Sequence, residues 1–309
     1  METQIKTEPV EKVKNAGIQR IVPFLWFDNQ AEEAIGFYTS LFKNSKVKAV
    51  TRYNEAGSHA SGMPKDSVMT VNFLIGGKEF VALNGGPVFK INPAITFMIN
   101  CDSHDEINEL WKKLSAGGTV MMELDTYPFS QKFGWLSDKY GVSWQLNMGN
   151  HSQKITPLLW FNGKAKEAIH FYTSLFEDSD ISYIEYFGAG ESGPQGAVKH
   201  ATFSLDGEAF MAMDNNDKFP FTTAISFVMN CRTQEELDYF WEKLSEGGDE
   251  RAQQCGWLQD KYGVSWQIVP AMLGEILSGN DLVRSGRVMQ AILQMKKIDI
   301  KTLQKAYEL

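Results

Sequence analysis

Apolar residues recur at spacings of three and four in several stretches of the chain, and each such stretch predicts an amphipathic helix. In the first, Ala34, Phe37, Tyr38, Leu41 and Phe42 share one stripe; in the second, Ile107, Leu110, Trp111 and Leu114; in a third, Leu237, Phe240, Trp241 and Leu244. Polar residues frame them. Asn29 with Glu32, Ser103 with Glu106 and Thr233 with Glu236 have the spacing of a capping box, and glycine pairs at 117–118 and 247–248 end the second and third helices. Between the helices, alternation of period two marks strands at 68–75 before Gly76-Gly77 and at 198–205 before Asp206-Gly207, with turns of hairpin type.

This order of elements occurs more than once. IVPFLWFDNQAEEAIGFYTSLF at 21–42 returns as ITPLLWFNGKAKEAIHFYTSLF at 155–176, and GWLSDKYGVSWQL from 134 returns as GWLQDKYGVSWQI from 256. Between these anchors, ITFMINCDSHDEINELWKKLSAGG from 95 matches ISFVMNCRTQEELDYFWEKLSEGG from 225. Self-similarity of this length predicts one unit duplicated and fused. We expect a polar segment at 1–19, a first domain at 20–150, a second at 151–270 and a helical tail at 271–309, with each domain reading βαβββ twice. In the tail, Met272, Leu273, Ile276 and Leu277, then Val288, Ile292 and Met295, then Leu303 and Tyr307 have helical spacing, which predicts two or three short packing helices.

Composition narrows the function. The chain has 309 residues, 43% of them apolar and 12% aromatic, enough for a core in each half. Against 38 acidic residues stand 30 basic ones, a formal charge of −8 without any Lys/Arg run, which argues against a nucleic-acid partner. The apolar runs are of strand length and the N-terminus is charged throughout, so neither a membrane span nor a secretory signal is expected. Cys101, Cys231 and Cys255 are odd in number and lack CxxC spacing, which fits reduced thiols and a cytoplasmic protein.

The P-x-L-x-F segment followed by A-x-x-A-x-x-F-Y-x-S-x-F, the glycine-paired helix ends and the closing G-W-L-x-D-K-Y-G-V-S-W-Q resemble the PhnB-like proteins. This group, also called 3-demethylubiquinone methyltransferase-like, belongs to the vicinal oxygen chelate superfamily with glyoxalase I, bleomycin-resistance proteins and extradiol dioxygenases. The resemblance spans 21–268. It implies an α+β fold of tandem vicinal-oxygen-chelate domains, each of two βαβββ modules whose curled sheets form cups, followed here by C-terminal helices. It also implies that the halves pair within the chain as a pseudo-dimer, with exchange between chains and further homo-oligomers left open. No glycine-rich strand-to-helix loop is present to hold a methyl-donor cofactor, since Gly85-Gly86 and 188–190 lack a following helix, so the methyltransferase label carries little weight.

Superfamily enzymes place His, Glu or Gln metal ligands on inward strand positions. Here the first-strand positions fall near 21–23 and 155–157, and the second-module positions near 94–95 and 224–225, without a histidine; the closing glutamate falls on Gln145 and Gln267. Asn84 and Asp214 mark a fourth, weakly aligned position. One neutral amide per site is too few for a divalent cation, so neither a metal nor another cofactor is expected. Of the five histidines, His59, His104, His151 and His170 are expected to be solvated; His200, with Thr70 as its counterpart, faces the concave side with Thr202 and Ser204 and is the candidate general base.

Alternation turns Phe24 and Trp26 into the first cup and Leu158 and Trp160 into the second. Thr96, Met98 and Asn100, with Ser226, Val228 and Asn230 as their equivalents, face them, and Gln145 and Gln267 complete the walls. Trp135, Trp144, Trp257 and Trp266 are assigned to packing or to the seam, and Asp138-Lys139 and Asp260-Lys261 to hairpin turns. An aromatic wall with a few amides suits a small planar or amphipathic organic molecule. The leading expectation is a metal-free binding or sequestering protein. Its rivals are a metal-dependent lyase, isomerase or dioxygenase-like enzyme, a metal-free enzyme using His200, and a regulatory or interaction protein whose cups are vestigial, which cups filled by their own side chains would favour.

Overall fold

A computed structural model describes residues 19–149, 153–214, 219–279 and 281–309. The polar segment expected at 1–19, save Gln19, and His151 lie outside the described residues. Four modules follow one another. The first holds β1 (Ile21–Phe27), α1 (Ala31–Leu41), β2 (Lys46–Arg52), a short α2 (Glu55–Ser61), β3 (Val68–Ile75) and β4 (Lys78–Asn84). The second holds β5 (Ile95–Cys101), α3 (His104–Leu114), β6 (Thr119–Tyr127), β7 (Ser130–Ser137) and β8 (Ser143–Met148). The third repeats the first as β9 (Ile155–Phe161), α4 (Ala165–Leu175), β10 (Asp180–Tyr186), β11 (Val198–Leu205) and β12 (Glu208–Asp214). The fourth has β13 (Ile225–Cys231), α5 (Gln234–Ser245), β14 (Trp257–Gln259) and β15 (Ser265–Pro270), and the tail forms α6 (Leu273–Ser278), α7 (Leu282–Leu293) and α8 (Ile300–Glu308).

The fourth module departs from the expected βαβββ. Between the glycine pair and the Gly-Trp of the closing segment the first half has fifteen residues, 119–133, and the second only seven, 249–255. Seven residues cannot make the long arm of the β6–β7 hairpin, and a single turn of 3-10 helix, Glu250–Ala252, stands in its place.

Two sheets form, and each draws on both halves of the chain. The seven-stranded sheet runs β14-β15-β13-β1-β4-β3-β2, and the eight-stranded sheet β10-β11-β12-β9-β5-β8-β7-β6. The halves join where β1 pairs antiparallel with β13, Phe24 opposite Ser226, and where β5 pairs antiparallel with β9, Thr96 opposite Leu158. The pseudo-dimer is therefore built by exchanging modules, and each cup is made of one half's opening module and the other half's closing module.

One face of both sheets is covered by α1, α3, α4 and α5. Ile21, Leu25, Phe73, Phe80, Phe97, Trp144, Phe161, Phe227 and Trp266 pack there with Tyr38 and Tyr172 in a single continuous core. Ser103 and Thr233 cap α3 and α5 as their spacing predicts, each accepting from the amide three residues on. The capping box expected from Asn29 and Glu32 does not form: Gln30 is the N-cap residue of α1 and makes no side-chain cap bond. Instead Asn84 Oδ1, from the end of β4, accepts from the Ala31 amide at 2.8 Å, and Asp214 does the same for Ala165 of α4 at 3.0 Å. The positions weighed as fourth metal ligands are thus helix caps on the core side.

Glycine is required at the ends of α3 and α5. Gly117 and Gly247 have φ of 74° and 73°. A Cβ on the next glycine, Gly118 or Gly248, would lie 2.3 or 2.0 Å from the carbonyl oxygen of Ser137 or Gln259, so helix and strand approach there backbone to backbone.

The D-K-Y-G turns also serve the core. Asp138 and Asp260 are buried, and each carboxylate accepts four hydrogen bonds: from Tyr38 O–H (2.6 Å), Trp144 Nε1 (2.8 Å) and the amides of Tyr140 and Val142, and from Tyr172 O–H (2.6 Å), Trp266 Nε1 (2.9 Å) and the amides of Tyr262 and Val264. Burial outweighs these donors and raises both carboxyls, that of Asp260 to about 6. Trp144 and Trp266 are packing residues, as expected.

Candidate functional site

The faces turned away from the helices carry two separate apolar clusters. On the eight-stranded sheet, Met98, Phe133, Leu158 and Met211 are buried together, with Met122, Tyr127, Trp135, Trp160 and Met213 packed on them. Register explains the grouping. Met98 pairs with Gln145 of β8 and Gln145 with Trp135 of β7, while Met211 lies beside Leu158 and Met213 beside Trp160. The curl of the sheet then brings its two arms together, and Trp135 and Trp160 stack with centroids 5.3 Å apart and planes 8° from parallel. Trp135 Nε1 donates to Ser143 Oγ at 2.9 Å, which also accepts from Thr96 Oγ1 at 2.9 Å.

Gln145 lies at the floor of this cup with 4% of its surface exposed, and among the described residues its side-chain amide has no hydrogen-bond partner. The amide is not among the fully buried unpaired groups, so it keeps contact with the space of the cup and is available to something there. Asn100 Nδ2 donates to the Gln153 carbonyl at 2.8 Å, while its Oδ1 is buried without a partner among the described residues. His200 stands toward the rim on β11, opposite Glu185 of β10, with its ring 6.2 Å from that of Tyr183.

The seven-stranded sheet carries the second cluster: Val22, Phe24, Val228 and Val269, with Val81, Leu83 and Trp257 against them. Trp26 donates to the Gly86 carbonyl at 2.9 Å and meets Trp257 edge-on, at 6.3 Å and 73°. Gln267 Nε2 donates to Ser226 Oγ at 3.1 Å, and Asn230 Nδ2 to the Gln19 carbonyl at 3.2 Å. A residue of the tail, Leu273 of α6, packs into this cluster.

The expected site residues thus all sit on concave faces, but in exchanged company: Phe24 and Trp26 face Ser226, Val228 and Gln267, whereas Leu158 and Trp160 face Thr96, Met98 and Gln145. Trp135 and Trp257, assigned to packing or to the seam between the halves, are cup residues that each meet a tryptophan of the other half, and Phe133, Tyr127, Met122, Met211 and Met213 join the wall unforeseen. Gly134 carried a signal for this. A Cβ there would lie 2.4 Å from Trp111 of α3, so Gly134 faces the helix and period-two alternation turns Phe133 and Trp135 the other way.

A metal was tested against the donors present. The concave floor of the eight-stranded sheet offers the Thr96, Thr156 and Ser143 hydroxyls, the Gln145 amide and methionine thioethers, and among the described residues no three His, Cys, Asp or Glu side chains come together. A divalent cation of the magnesium-to-zinc range does not fit this set. Cys101 and Cys231 lie on the core side with thiols pushed up to about 12 by burial. No helix among the described residues is long and apolar enough to cross a membrane.

Two curled sheets shared between tandem halves, with helices outside and apolar cups inside, define a glyoxalase-like fold. Glyoxalase I from Zea mays has this fold at a TM-score of 0.55 over 84% of this chain and 95% of its own, with 12% identity. The chain belongs to the 3-demethylubiquinone-9 3-methyltransferase family, whose profile matches residues 19–147 and 153–269. The PhnB protein of Bacillus cereus, described as a 3-demethylubiquinone-9 3-methyltransferase, is 41% identical over 42% of this chain and 100% of its own, at a TM-score of 0.39. A protein from Pseudomonas aeruginosa is 25% identical over 43% of this chain and 100% of its own, at a TM-score of 0.37. No curated protein matches.

Proposed function

We propose that the cup of the eight-stranded sheet binds a small, neutral, flat organic molecule without a metal, and that the chain is a binding or sequestering protein rather than a methyltransferase. The observation that carries this reading is the Gln145 amide, without a hydrogen-bond partner among the described residues, beside the stacked Trp135–Trp160 pair. The aromatic rings offer a flat contact surface, the amide offers one donor and one acceptor to orient a carbonyl or hydroxyl, and four methionines make a wall that adapts to shape. Among the described residues the buried floor holds no charged side chain, which disfavours an ionic ligand. The donor set supports metal-free binding. The lack of a glycine loop opening onto a helix among the described residues argues against methyl transfer, since 85–86 leads into an irregular segment. Three free cysteines support a reducing compartment, for which we propose the cytoplasm.

The test is a fluorescence titration of the full chain with N-phenyl-1-naphthylamine, a neutral aromatic probe. Trp160→Ala is expected to weaken binding at least tenfold with little change in melting temperature. Unchanged affinity would reject the cup as the site, and a loss of folding as large as the loss of binding would make Trp160 a core residue. His200→Ala serves as the control, expected to bind as wild type; a loss there would bring the imidazole into contact with the ligand and revive the enzymatic reading.

A further inference from the structure

We infer that the two cups do different jobs: the cup of the seven-stranded sheet is permanently occupied by the chain's own α6, so each chain offers one ligand site and not two. The inference rests on the reading of the concave faces as ligand surfaces. It starts from the missing hairpin. Without a counterpart to β6 and the first part of β7, the β14 edge of the seven-stranded sheet lacks the arm that in the other cup carries Met122, Tyr127 and Phe133. The tail takes over that space and more.

Its path can be followed residue by residue. Leaving β15, the strand next to the β14 edge, α6 crosses the concave face. Leu273 meets the cluster of Val22, Phe24, Val228 and Val269, and a Cβ on Gly274 would lie 3.9 Å from Asn72 Nδ2 on β3, near the opposite edge. Next, α7 passes α2, where a Cβ on Gly286 would lie 4.0 Å from Asn54 Nδ2. The chain then returns to the shortened arm. The amides of Cys255 and Gly256 donate to the carbonyls of Met295 and Lys296, both at 2.8 Å, and Gln254 Nε2 donates to the Leu293 carbonyl at 3.1 Å. Finally α8 is tied to α5 by Gln234, whose side chain bonds both the Ile298 carbonyl and the Ile300 amide, and Lys297 pairs with Asp238 at 2.7 Å.

The lining agrees with an internal occupant. Where the other cup has Met98, Met211 and Met213, this one has Val228, Val81 and Leu83, less adaptable side chains suited to one fixed partner. Its glutamine already donates to Ser226, and on its far strands Thr51 and Thr70 bond each other at 2.6 Å, so these polar groups are engaged within the wall.

Two measurements test this. Titration with N-phenyl-1-naphthylamine is expected to give one site per chain, lost in Trp160→Ala and kept in Trp26→Ala. A Leu273→Asp change, which sets a carboxylate against Val22 and Phe24, is expected to lift α6 and add a second site that Trp26→Ala removes. Two sites in the wild type, or a single site lost with Trp26→Ala, would overturn the inference. Because Leu273→Asp can also unfold the chain, a double variant, Asn72→Cys with Gly274→Cys, reads the occupancy without any ligand. Dibromobimane, which fluoresces when it joins two nearby thiols, is expected to label the pair well above either single variant. Labelling no better than the single variants would overturn the inference. Efficient labelling in a protein that binds no probe would leave α6 in place and reject the ligand reading instead.

Discussion

The two cups share backbone, module order and helix-side core, and differ almost entirely in what covers the concave face. In the eight-stranded sheet two tryptophans lie flat on each other, whereas the equivalent pair in the seven-stranded sheet meets edge-on, and three methionines in the first are aliphatic residues in the second. Duplication makes such divergence easy. Once two equivalent sites exist in one chain, one can lose a hairpin and become scaffold provided something else buries its apolar surface, and the tail does this.

The largest expected effect comes from removing that cover. A chain ending at residue 270 strips Val288, Ile292, Ile298 and Leu303 from the core, all of them buried. At roughly 1.5–3 kcal/mol per side chain the loss is about 6–12 kcal/mol as an upper bound, comparable with the whole stability of an ordinary domain. Hydrogen exchange is expected to show lost protection in β13, β15 and α5 before β5, β8 and α3. Equal loss in both sets would show that the sheets unfold as one unit and that the tail is no private partner of the first cup.

On the helix side the two halves are expected to behave alike. Asp138→Asn and Asp260→Asn each place an N–H₂ group against a Tyr O–H and a Trp N–H, leaving one buried donor unpaired, at a cost of about 1–3 kcal/mol at neutral pH. The pH dependence has a definite sign. Asp260 holds its proton up to about pH 6, above the ordinary carboxyl value of 3.8, so between those values the unfolded chain has lost a proton that the folded one keeps. Wild-type stability relative to Asp260→Asn therefore falls as pH rises through that window, by about 3 kcal/mol in total. Denaturant melts of both proteins at pH 4 and pH 6.5 check it; a penalty that grows with pH would mean the four donors outweigh burial.

Much of this was legible in the sequence. The repeat fixes four modules, and period-two alternation assigns Trp26, Thr96, Gln145 and Trp160 to concave faces because each lies between residues bound for the helix side. What local pattern does not encode is partnership. Whether β1 pairs with β5 or with β13 depends on which module closes which sheet, and both edges present nearly the same residues. The α1 cap was missed for a related reason: Asn84 reaches Ala31 from 53 residues away, while Asn29 sits next door and does not serve. The eight-residue gap in the fourth module was visible, but not that the tail would fill it.

The smallest effect is the most diagnostic, because it compares two glutamines at equivalent positions. Replacing Gln267 by leucine removes the partner of Ser226, whose hydroxyl is fully buried, and is expected to cost about 1 kcal/mol. Replacing Gln145 by leucine removes an amide with no partner among the described residues and leaves a side chain of similar bulk, so the folded state is expected to be unchanged or slightly more stable. Urea melts should therefore move to lower denaturant for Gln267→Leu and not for Gln145→Leu. Probe binding should move the other way round, weakened by Gln145→Leu and indifferent to Gln267→Leu, because the Gln145 amide has no partner among the described residues to hold it back from a ligand. If both variants lose stability equally and neither changes binding, Gln145 is an ordinary wall residue and the functional difference between the cups rests on their tryptophans alone.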